Sequence, residues 1–146
     1  MIMGNYNEAS KSFKALIEIE ESVIGYFNLL IALNALGDTG GLKYTADQAT
    51  RVFERYLDRQ PKDSTINVRY AFVLFWAGKQ TEASELAESL LDQKELGGYA
   101  LYNLGCLFDE LGNPERFIHL LKKAIQKGYR EIEQTRNYVF TTKSMV

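Results

Sequence analysis

A chain of 146 residues with 46% hydrophobic content has room for one domain or a short array of repeats, and enough apolar side chain to exclude a disordered tail. Lys and Arg number 17 against 19 Asp and Glu, so a formal net charge of −2 offers no general field to a polyanion, and nucleic acid is not an expected partner. Apolar runs such as "AFVLFWAG" fall far short of the roughly 20 residues of a membrane-spanning helix, and "MIMGNYNEASKSF" shows no secretory pattern, which makes the cytoplasm the expected compartment.

Helical periodicity places the first element near 6–20, where Ala9, Phe13, Leu16 and Ile17 form an apolar stripe in need of a cover. A second helix near 22–36 carries Tyr26, Leu29, Leu30 and Leu33 and stops at Gly37. The following "GDTGGLKYT" reads as an extended turn, with a third helix near 45–59 carrying Ala49 and Phe53 and closed by Pro61. Ser64, after "RQPKD", is the expected cap of a helix over 64–77; Ala83 and Ala87 mark the next, over 80–92. The helix over 98–111 has Leu101, Leu104 and Phe108 on one face and Gly105 in its middle, where glycine costs about 1 kcal/mol against alanine. Asn113 caps a helix over 114–127 with Pro114 in its first turn, and a short helix is expected at about 130–138.

These helices repeat. Gly78 and Gly112 are 34 residues apart, and Ala49, Ala83 and Phe117 follow one another at the same spacing. Gly37 and Gly78 are 41 apart, which implies a seven-residue insertion in the first unit's internal turn. A 34-residue period of two helices resembles the tetratricopeptide repeat, whose pattern runs W-x₂-L-G-x₂-Y, A-x₃-F, P. Leu101, Leu104, Gly105 and Phe108 match it, as do Ala9 with Phe13, Ala49 with Phe53, and Pro61; Leu30 in place of the small residue, Asn67 in place of the large one, and Phe117 in place of the alanine depart from it. The run "AIQKGYREIEQTRNYVF" resembles the closing segment of bacterial members. The resemblance implies an all-α superhelix, an α-α solenoid of about three and a half helix pairs. It comprises a half repeat at 4–20, repeats at about 22–61, 64–95 and 98–128, and a C-terminal cap at 129–146, in a bacterial cytosolic protein. Gly105 then lies where paired helices cross closely.

Residues for chemistry are few. His119, the sole histidine, falls off the apolar face of its helix and is read as a surface residue. The single cysteine, Cys106, excludes an internal disulfide and is read as a small buried hydrophobe. "GDTGGLKYT" breaks the phosphate-loop spacing at Leu42 and Tyr44, and runs such as "EIEIEES" read as solvated faces. The expectation is a non-enzyme with no cofactor and no metal.

Aromatic residues, 12% of the chain, carry the functional reading. In a repeat superhelix the first helices line a concave surface. The packing stripe of the 64–77 helix takes Ile66, Tyr70, Ala71 and Leu74, leaving Val68, Phe72, Phe75 and Trp76 for the groove; neighbouring helices offer Ile24, Phe27 and Ile31, then Tyr99, Tyr102 and Cys106. The same side chains could instead complete packing between units, and the pattern leaves both readings open. Asn28, Arg69 and Asn103 each stand nine residues before a turn glycine, placed to bond a peptide backbone or carboxylate. Family members that clamp a chaperone's C-terminal carboxylate do so with five residues on three successive first helices; only Asn28 and Arg69 match here, Thr65 stands in place of a lysine, and the first helix that would supply the other two has no counterpart. The sequence thus points to a protein-binding adaptor or scaffold whose groove takes a peptide or partner helix. Two alternatives are a homo-oligomer built through the N-terminal half repeat and a repeat segment of a longer enzyme or regulator.

Overall fold

A glycine shapes each turn within a helix pair. Gly37, Gly78 and Gly112 have φ of +74°, +83° and +89°, the left-handed region that glycine enters without cost. In each case the residue after the glycine donates its N–H five residues back: Asp38 to the Leu33 carbonyl, Lys79 to Leu74, Asn113 to Phe108. These three closures are one motif, and they reverse the chain so that successive helices lie antiparallel.

The computed structural model describes residues 7–12, 14, 23–93 and 96–128, and every regular element among them is helical. A first helix, α1, is described over 7–12. Then follow α2 (Val23–Leu36), α3 (Thr39–Arg59), α4 (Ser64–Trp76), α5 (Gln80–Leu90), α6 (Gly98–Glu110) and α7 (Pro114–Gln126). The contacts run α2 to α3, α4 to α5 and α6 to α7 within pairs, while α2, α4 and α6 touch one another along the array. The result is two layers, with α2, α4 and α6 in one and α3, α5 and α7 in the other. Phe13, Leu16, Ile17 and the expected cap at 129–146 lie outside the described residues.

The seven-residue insertion is not in the turn. The Gly37 turn is built like the other two, and α3 begins at once, with Asp38 accepting the Gly41 N–H at 2.9 Å. The extra residues are helix: α3 has 21 residues against 11 in α5 and 13 in α7. Seven residues are nearly two full turns at about 3.6 per turn, so Leu42, Ala46, Ala49 and Phe53 stay on the buried face. A Cβ at Gly41 would lie 2.5 Å from an Asp38 carboxylate oxygen, so a larger residue there must displace the capping side chain.

Caps join one pair to the next. Asp63, rather than Ser64, caps α4, its Oδ1 accepting the Ile66 N–H at 3.1 Å while its Oδ2 accepts the Tyr56 hydroxyl of α3 at 2.6 Å. That bond to the carboxylate raises the Tyr56 pKa, with burial adding to it. Asn67, which stands where the repeat pattern has a large residue, donates its side-chain amide to the carbonyls of Pro61 and Asp63 and so ties the α3–α4 turn. Tyr70 stacks on Phe53 and donates to Glu54 at 2.9 Å, closing α4 onto α3. Asn113 caps α7 as expected, accepting the Arg116 N–H at 3.1 Å.

Gly105 marks the tightest crossing. A Cβ there would stand 3.1 Å from Phe117 Cδ1 and 3.3 Å from both Leu120 Cβ and the Phe117 carbonyl oxygen, so the α6–α7 pair closes over a missing side chain. Phe117 and Leu120 fill the space from α7, and Ala71 holds the equivalent place on α4.

Candidate functional site

The face of α2, α4 and α6 turned away from α3, α5 and α7 carries side chains in rows, because equivalent positions in successive units stack along the array. The row at the helix starts is Ile24, Thr65 and Tyr99. The next is Phe27, Val68 and Tyr102, and the row one heptad beyond the first is Ile31, Phe72 and Cys106. Asn28, Arg69 and Asn103 run beside them.

Exposure divides these rows. Ile24 is 54% exposed and Tyr99 47%, with Thr65 exposed between them. Phe72 and Cys106 are 1% exposed and Tyr102 0%, with Phe27 and Val68 also buried. Ile31, Phe75 and Trp76 are half-buried. The inner face is therefore open at the starts of its helices and closed further along. Of the aromatic residues assigned to it, Tyr99 alone presents a largely exposed side chain.

Phe27, Phe72 and Trp76 are brought together across α2 and α4, with ring centroids 6.5, 5.8 and 5.5 Å apart. The Arg69 guanidinium lies 5.4 Å from the Phe27 ring centre, a cation–π contact that binds it to its own fold. These rings complete packing between neighbouring units, one of the two readings open from sequence. Tyr102 meets Phe117 edge-on at 6.3 Å, so it supports the α6–α7 pair as well. Asn28 is half-buried and Asn103 is 8% exposed. Among the described residues the Asn103 Oδ1 has no hydrogen-bond donor, a deficit that typically costs about 1–3 kcal/mol.

Burial raises the Cys106 thiol to about 12, the Asp109 and Glu110 carboxylates adding to the rise and a bond with Tyr102 opposing it. A thiol so held stays protonated and is a poor nucleophile. His119 is exposed, as expected. No cluster of His, Cys, Asp and Glu among the described residues could hold a metal, and no helix there is long and apolar enough to cross a membrane. Three exposed apolar residues had no assigned role in the sequence: Tyr44 on α3, and Ile118 and Ile125, seven apart on α7, whose signal is an apolar pattern wider than one packing stripe.

Residues 98–126, the α6–α7 pair, match the tetratricopeptide repeat family model. No curated protein matches the chain. Among solved structures the chain is similar to a tetratricopeptide repeat protein from Parabacteroides merdae ATCC 43184, at 22% identity and a TM-score of 0.55. The match covers 98% of this chain and 52% of that one, so the chain spans about half the length of its solved counterpart. The two findings agree with the 34-residue period, the glycine turns and the two-layer array: the chain carries the tetratricopeptide repeat fold, with residues 98–126 as its recognised repeat.

Proposed function

We propose that the chain is a protein-interaction module, an adaptor or scaffold in the bacterial cytoplasm, that holds an apolar peptide or partner helix along the inner face of α2, α4 and α6. The observation that carries this reading is the exposed row of Ile24, Thr65 and Tyr99, two of them large and apolar, on the face of α2, α4 and α6 turned away from α3, α5 and α7. Phe27, Ile31, Val68, Phe72, Phe75, Trp76 and Tyr102 form the rigid apolar bed beneath, and Asn28, Arg69 and Asn103 supply polar contacts to a peptide backbone. Binding rests on preformed shape, and no covalent step is assigned to the chain.

The test is a comparison of the native chain with Ile24→Asp/Tyr99→Asp in affinity capture from the native cell, followed by titration of the captured protein. Loss of either anchor is expected to cost about 2 kcal/mol of binding with the melting temperature unchanged. Equal affinity for both chains defeats this reading. Self-association is a second reading, favoured by the apolar stripe of Ala9, Phe13, Leu16 and Ile17 in the half repeat; sedimentation velocity over a concentration series separates it from the first.

A further inference from the structure

Arg116 fixes how α7 is turned. Its guanidinium pairs with Glu88 of α5 at 3.1 Å, so that flank of α7 faces the preceding unit. Ile118 and Ile125 come two and nine residues later, which at about 100° per residue puts both on the opposite flank, and they are 51% and 41% exposed. The repeat explains why this flank is apolar. At the 34-residue spacing Ile118 corresponds to Thr50 and Ser84, and Ile125 to Leu57 and Leu91. In α3 and α5, each followed by another described unit, those positions are buried or half-buried, whereas in α7 they are exposed. Ile118, Ile125 and the half-buried Leu121, with Pro114 one turn earlier, thus form an apolar strip along the end of the described array.

The charges beside the strip say what fits it. Glu115 and Lys122, both exposed, stand seven residues apart along its solvent-side edge, and neither is in an ion pair among the described residues. An acidic partner helix meets repulsion at Glu115, and a basic one at Lys122. A second copy of α7 laid antiparallel is matched to both. In that register Ile118 of each copy meets Leu121 of the other, Ile125 meets Pro114, and Glu115 comes beside the other copy's Lys122, twice by symmetry. A parallel copy would set Glu115 against Glu115.

We propose that α7 pairs with α7 of a second copy, antiparallel about a two-fold axis, to give a closed dimer through this end of the array. The surface is separate from the inner face, and the dimer differs from one built through Ala9, Phe13, Leu16 and Ile17. So short a strip buries less than the roughly 800 Å² per partner of a stable complex, so the dimer forms at protein concentrations near about 0.1 mM.

The test is sedimentation velocity of the full chain over a concentration series at low ionic strength. The native chain is expected to pass from monomer to dimer and no further, and Ile118→Asp/Ile125→Asp to stay monomeric with an unchanged melting temperature. Glu115→Lys and Lys122→Glu are each expected to weaken the dimer roughly tenfold. An equimolar mixture of these two single variants, in which unlike charges meet again at both places, is expected to regain it. The mixture decides the matter without the aspartate variant, since neither charge reversal touches a buried side chain. A monomer at every concentration overturns the proposal. So does association that survives Ile118→Asp/Ile125→Asp, which places the contact at the half repeat or the inner face, and so does growth beyond the dimer, which makes the contact head-to-tail. A mixture that associates no better than the separate variants removes the antiparallel register and overturns it as well.

Discussion

Single atoms decide the two positions where a substitution is most informative. At Gly105 the nearest neighbours of an added Cβ include the Phe117 carbonyl, which cannot move without disturbing α7. Gly105→Leu is therefore expected to destabilise the chain by about 1–3 kcal/mol through overpacking, read as a lower denaturation midpoint. Asn103→Leu, two positions earlier, removes an acceptor without a donor among the described residues and is expected to cost much less. Cys106 supplies a pH signature. The unfolded thiol ionises near its ordinary 9.0 and the folded one near about 12, so between those values the unfolded chain has released a proton that the folded chain retains. Its contribution to stability is complete below pH 9 and is lost as pH rises through that window. Thermal melts between pH 9 and 12 are expected to fall more steeply for the native chain than for Cys106→Ala, and parallel slopes would contradict the burial assigned to the thiol.

At the scale of one helix, α3 shows why an insertion need not break a repeat. Its extra residues are nearly two turns, so the face bearing Ala49 and Phe53 keeps its direction relative to the Asp38 cap. Removing residues 39–45 is expected to leave a folded chain, with a loss near the 2 kcal/mol that burial of Leu42 supplies. Removing 39–43 alone rotates the cap by about 140° against that face and is expected to cost much more. Circular dichroism melts of the two deletions make the comparison, and equal losses would mean that helix register is not what matters here. The period in the sequence located this insertion but not its conformation, because "TGGLKYT" has two glycines and reads locally as a turn. The Asp38 cap and the burial of Leu42 against the rest of the array make it helical.

For the molecule as a whole, contacts between neighbouring elements dominate, so damage should stay near its origin. Native-state hydrogen exchange of Gly105→Leu is expected to show lost protection in α6 and α7 with that of α2 and α3 largely kept. Uniform loss throughout would indicate that the array unfolds as a single unit.

The spacing of Gly37, Gly78 and Gly112, together with the recurrence of Ala49, Ala83 and Phe117, was enough to determine the helix pairs, their antiparallel order and the close crossing at Gly105. Those features follow from local geometry: a left-handed φ ends a helix wherever it occurs, and a side chain's face is set by its position in a 3.6-residue turn. Exposure is another matter. Tyr99, Tyr102 and Cys106 look alike as groove residues in the sequence, and a heptad separates the exposed Tyr99 from the buried Cys106 on one face of one helix. The tertiary structure alone decided between them, since burial depends on what comes to lie against a face, and helical periodicity gives only the direction in which that face points.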